Sequence, residues 1–72
     1  MRTILTMMCG DKSVRTEEFA TLEEADLQAE ATRRHSRGIT QICYQVFMQP
    51  DVKITLGCWN KGPTKWFYRA AS

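Results

Sequence analysis

Two stretches on either side of Pro50 alternate apolar and polar side chains, and one antiparallel alignment serves both of them and the stretch that follows. In residues 39–48 the apolar side chains Ile42, Tyr44, Val46 and Met48 take every second position; in residues 52–59 Val52, Ile54, Leu56 and Cys58 do the same. A period of two marks a strand with one buried face. Gln49, Pro50 and Asp51 supply a turn between them. Pairing Met48 with Val52 sets Val46 against Ile54, Tyr44 against Leu56 and Ile42 against Cys58. Residues 60–64 form a second turn region. Pairing Cys58 with Trp66, in residues 65–70, then sets Leu56 against Tyr68 and Ile54 against Ala70. Every pair on that face is apolar, as burial requires.

The first half of the chain adds a hairpin and a helix. Residues 3–9 are apolar and β-prone, Gly10-Asp11 suits a two-residue turn with positive φ at the glycine, and residues 13–19 return as a second strand. Thr21 and Glu24 form a capping box, in which the threonine hydroxyl accepts from the Glu24 amide and the carboxylate reaches back to the Thr21 amide. Acidic residues fill the first turn and Arg33, Arg34 and His35 the last, matching the helix dipole, and Gly38 stands near the expected C-terminal cap. Leu22, Ala25, Ala29 and Thr32 share one stripe, with Leu27 and Ala31 beside it. The reading is a single α+β domain over residues 1–72. An antiparallel sheet of about five strands, in chain order β-β-α-β-β-β, carries one helix packed on one face. Whether the meander joins the hairpin through its first or its last strand is left open.

At 72 residues such a domain buries only about 60% of the surface its unfolded chain exposes. Most apolar side chains must enter one core, which leaves little with which to build a deep catalytic cavity. Hydrophobic residues at 43% and charged residues at 25% are ordinary globular usage and argue against disorder. The net charge of +2 is too small to announce nucleic acid, but its distribution is uneven. Glu17, Glu18, Glu23, Glu24, Asp26 and Glu30 make an acidic front half; Arg33, Arg34, Arg37, Lys53, Lys61, Lys65 and Arg69, opposed by Asp51, make a basic back half. No run approaches the roughly 20 apolar residues of a membrane span, and residues 1–8 are too short and mixed for a signal-peptide core. Cys9, Cys43 and Cys58 are odd in number. A cytoplasmic setting with reduced thiols and no membrane partner is expected.

The same alignment places Gln41, Cys43, Gln45, Phe47, Lys53, Thr55, Gly57, Trp59, Lys65, Phe67 and Arg69 on the opposite face, which one helix leaves uncovered. Trp59 is expected there between Gln41 and Lys65, with Phe67 lying across Gly57. Phe67 in that place could do no more than cover bare glycine backbone. Exposed rings with a polar rim nonetheless resemble binding surfaces. The candidate binding residues are therefore Gln41, Phe47, Lys53, Trp59, Lys65, Phe67 and Arg69.

Catalytic and metal-binding patterns are missing. The cysteine spacings do not resemble paired zinc-ligand units, and the alignment puts Cys43 and Cys58 on opposite faces, which argues against a shared metal and against a disulfide. His35 sits among arginines at the helix end and reads as an exposed capping residue. Glu17 with Glu18 and Glu23 with Glu24 are adjacent in sequence, so neither pair faces one point as a catalytic dyad. The glycines are isolated and form no phosphate loop. No enzyme, cofactor or metal is expected.

This layout of a few-stranded antiparallel sheet with one helix resembles small phage or mobile-element proteins that bind host or defence machinery, anti-CRISPR proteins among them. The resemblance spans the chain as architecture and has no diagnostic motif. Phe19, Ala20, Thr21, Leu22, Glu23, Glu24 and Ala25 are also similar to the strand-to-helix entry of HicB-type antitoxin domains, but the glycine-cysteine turn that precedes it there is missing here. The phage resemblance implies a protein-binding inhibitor or accessory factor that occludes a partner surface in the host cytoplasm. The alternative is a single-stranded nucleic-acid-binding module in which rings stack bases and cations meet phosphates. A homodimer through the aromatic face is compatible with either.

Overall fold

A computed structural model describes residues 2–48 and 51–71. Gln49 and Pro50, expected in the turn after Met48, lie outside the described residues. Along the chain come β1 (Arg2–Cys9), β2 (Lys12–Phe19), α1 (Leu22–His35), β3 (Gln41–Met48), β4 (Val52–Lys61) and β5 (Trp66–Ala70). This is the expected α+β fold. The strands form one open sheet in the order β2-β1-β3-β4-β5, antiparallel throughout. The meander thus joins the hairpin through its first strand, with β3 beside β1.

Local chemistry accounts for the elements. Gly10 takes φ 66° in the tight β1–β2 turn, a conformation that a side chain would strain. Thr40 braces that turn: its hydroxyl accepts from the Gly10 amide at 2.8 Å, and its own amide donates to the Met8 carbonyl at 2.8 Å. At the start of α1 the Glu24 amide donates to the Thr21 hydroxyl at 3.2 Å. The return arm differs from expectation, because the Glu24 carboxylate accepts from the Thr21 hydroxyl at 3.1 Å rather than from its amide. The helix ends at Ser36, whose amide donates to the Thr32 carbonyl at 3.0 Å, two residues before Gly38.

The core is formed by Leu5, Met7, Ala25, Ala29, Ile39, Ile42 and Tyr44. Ala25 and Ala29 are small enough to bring α1 close to the sheet. Thr32 also belongs to that buried stripe; its hydroxyl donates to the Gln28 carbonyl at 2.9 Å, so its burial leaves no unpaired donor. The helix packs over β1 and β2 rather than over the meander. In consequence Leu22, Leu27, Val52 and Ile54, expected on or beside buried faces, remain largely exposed.

The meander alignment holds for its first turn and then shifts. Met48 faces Val52 and Val46 faces Ile54, as expected. Between Tyr44 and Gln45 the register shifts, so that Tyr44 faces Gly57, Cys43 faces Cys58 and Ile42 faces Trp59. Leu56 is the extra residue of a β-bulge. The pairs Tyr44–Leu56 and Ile42–Cys58 are therefore corrected. So is the second hairpin, in which Trp59 faces Tyr68 and Lys61 faces Trp66. One inserted residue reverses the facing of all that follows in the strand.

Candidate functional site

The bulge moves Trp59 from the open face to the helix side, and this overturns its expected place beside Gln41 and Lys65. Its indole Nε1 donates to the Tyr44 hydroxyl at 3.0 Å, which in turn donates to Asp26 Oδ1 at 2.6 Å. The Arg33 guanidinium lies 3.8 Å from the centre of the Trp59 ring, a cation–π contact. Tyr68 stands beside both rings, with centroids 5.3 Å from Trp59 and 6.0 Å from Tyr44, each pair tilted. A partly buried polar chain thus runs from β4 through β3 to the helix. Burial is the main reason that the Tyr44 phenol is pushed up to about 12, and its bond to the Asp26 carboxylate adds to it. Tyr44 consequently keeps its proton near neutrality and acts as a donor.

Because α1 is displaced toward β1 and β2, a cleft of about 390 Å³ opens between the first turns of the helix and the meander. Leu22, Glu23 and Asp26 line it from the helix, and Tyr44, Leu56, Trp59 and Tyr68 from the sheet. The walls are mainly hydrocarbon and aromatic, with two carboxylates on the helix side. Leu22 is 48% exposed and Tyr68 44%. Val52 and Ile54 continue the exposed apolar surface along β4.

The opposite face keeps six of the seven expected binding residues but does not bring them together. Gln41 and Asn60 are joined by a 2.8 Å hydrogen bond, and Phe67 follows in the same cross-strand row. Phe47 lies at the other end of β3, opposite Lys53 and Arg2. Six residues of strand separate these rows, about 20 Å at the usual rise. Each ring already has a cation: Arg2 lies 5.0 Å from the centre of Phe47 and Lys65 5.2 Å from that of Phe67. Arg69 faces Cys58 at the edge. Phe67 does not cover Gly57 as expected. Tyr68 covers that glycine from the helix side, while Phe67 lies against Gly62.

Cys43 and Cys58 form a disulfide between Cα atoms 4.1 Å apart at the middle of this open face. Their expected separation onto opposite faces is thereby corrected, and with it the expectation of reduced thiols and no disulfide at these two positions, for the same reason as Trp59: the bulge changes the phase of β4 before Cys58. Cys9 is a free, exposed thiol. Among the described residues no group of three His, Cys, Asp or Glu side chains could hold a metal ion, and no helix is long and apolar enough to cross a membrane.

Neither the bulge nor the cleft could be reached from the alternation alone, although Gly57 beside Leu56 was a signal, because glycine inside a strand often accompanies a bulge. No family model, curated protein or solved structure matches this chain.

Proposed function

We propose that this protein is a non-enzymatic protein-binding module, a small inhibitor or accessory factor that works by occupying a partner's surface. Its docking surface on this reading is the helix-side cleft with its exposed apolar border, rather than the open face of the sheet. The cleft carries the proposal. Leu22, Leu56 and Tyr68 offer hydrocarbon and ring surface around a concavity in a chain too small to leave such area uncovered without consequence. Its polar groups are two phenols, an indole N–H and two carboxylates, with no nucleophile paired to a base, which suits recognition rather than turnover. The phage-type layout is in keeping with an inhibitor.

The nucleic-acid alternative is weaker on this geometry. Stacking of successive bases needs neighbouring rings, and Trp59 is absent from the face where Phe47 and Phe67 stand far apart. The test is affinity capture from host-cell lysate with the native protein, Leu22→Asp and Ile54→Thr side by side. Both substitutions suit their local structure, an acid in a first helical turn and a β-branched residue in a strand. A stoichiometric protein retained by the native chain, and at least tenfold depleted with variants that melt within a few degrees of it, supports the reading. No retained protein, or equal retention by all three, overturns it.

A further inference from the structure

We propose that the cleft receives a basic side chain of the partner, a lysine or an arginine, and this rests on the docking reading above. The chemistry of the lining favours such an occupant over a purely apolar one. Leu22 and Leu56 can pack against an aliphatic stem, which long cationic side chains lay along apolar surface. The Tyr68 ring centre lies 6.0 Å from that of Tyr44 and 5.3 Å from that of Trp59, and aromatic groupings of this kind attract cations through their negative faces. Arg33, stacked 3.8 Å from the Trp59 ring centre, shows that this indole already accepts a guanidinium.

The carboxylates decide the sign of the charge. Glu23 and Asp26 both line the cleft, and among the described residues neither enters an ion pair. Asp26 uses Oδ1 for the Tyr44 hydroxyl, which leaves Oδ2 to meet a donor. An apolar side chain seated here would offer neither carboxylate a donor. An acidic one would meet like charge. A lysine or arginine meets both walls at once, its stem on leucine and its head between rings and carboxylates. Arg33 already stacks on Trp59 and adjoins the Tyr44 hydroxyl, yet it forms no ion pair with Glu23 or Asp26 among the described residues, so an incoming cation is placed on the helix-start side of the cleft.

The test is an NMR titration of the native protein with N-acetyl-arginine methyl ester, N-acetyl-lysine methyl ester and N-acetyl-norleucine methyl ester, read at the Trp59 indole N–H and the Tyr68 ring. The cationic probes should give saturable shifts in the millimolar range, at least fivefold tighter than norleucine and weakened by 0.5 M salt. Glu23→Gln with Asp26→Asn should reduce the cationic affinity at least fivefold. The asparagine carbonyl can still accept from Tyr44, and thermal melting checks that the fold is kept; Glu23→Lys alone, outside the Tyr44 network, should give the same direction. Equal binding of norleucine, or cationic binding indifferent to these substitutions, overturns the cation assignment while leaving an apolar docking cleft. No saturable shift with any probe also overturns the assignment, and the capture experiment with Leu22→Asp and Ile54→Thr then judges the docking reading separately.

Discussion

The Tyr44 hydroxyl donates to Asp26 Oδ1 over 2.6 Å and thereby ties the exposed side of the helix to a central strand. Elsewhere the helix rests on β1 and β2. The bond requires a protonated phenol, and its folded-state value of about 12 stands above the ordinary 10.0. A group whose folded value is raised contributes stability that is complete below the unfolded value and is lost as pH climbs through the folded one. The window is therefore about pH 10 to 12, and the loss across it about 2–3 kcal/mol. Denaturant titrations at pH 9 and 12, with phenolate absorbance followed in parallel, should show that loss. Tyr44→Phe should abolish the absorbance step near 12.

At neutral pH, Tyr44→Phe removes the acceptor of the Trp59 indole as well as the donor to Asp26. A destabilisation of about 1–2 kcal/mol is expected from urea unfolding, because a part-buried donor is left unpaired. Tyr68→Phe should cost less, since its hydroxyl contact to the Leu56 carbonyl is 3.5 Å long and weak at that distance. Equal losses in the two variants would contradict the ranking.

Gly57 tests the bulge. A Cβ there would collide with the Tyr68 side chain and stand 2.8 Å from the Arg69 carbonyl oxygen. The ring can swing away, but the backbone of β5 cannot without loosening its pairing. Gly57→Ala should destabilise by about 1–3 kcal/mol and raise amide exchange in β5 more than in β1. Unchanged exchange in β5 would mean that the strand does not press on Gly57.

Replacing both Cys43 and Cys58 by serine opens a cross-link spanning 15 residues and should lower stability by about 3 kcal/mol on chain-entropy grounds. It should also weaken the hydrogen bond from Trp59 to Tyr44, because the unbulged register with Tyr44 opposite Leu56 becomes a competitor. Cross-strand nuclear Overhauser contacts between Tyr44 and Leu56 or Gly57 distinguish the two registers.

Much of the fold could be read from local chemistry. Gly10, the Thr21–Glu24 cap and the alternation in residues 42–48 each act over a few residues, and each appears where short-range physics puts it. The site escaped because it depends on one inserted residue. With Leu56 extra, Trp59 turns under the helix and Cys58 turns out toward Cys43. An alternation of Val52, Ile54, Leu56 and Cys58 looks sound without the bulge. Two facts at long range favour the bulged form: the sulfur–sulfur bond, and a tryptophan rather than a cysteine on the helix side, where the larger ring removes more apolar area from water. The helix offset is non-local too, since an alanine stripe fits against β1 as readily as against β4.

The sulfur bridge lies on one side of the sheet while the indole whose position it helps to set lies on the other. Thiol reductant would open the Cys43–Cys58 bridge, and by the register prediction above it should then loosen the pairing of the fourth strand. A ligand screen run with and without dithiothreitol would compare the two forms. Hits that appear in only one buffer would mark the groove beside Trp59, and hits common to both would point elsewhere on the molecule.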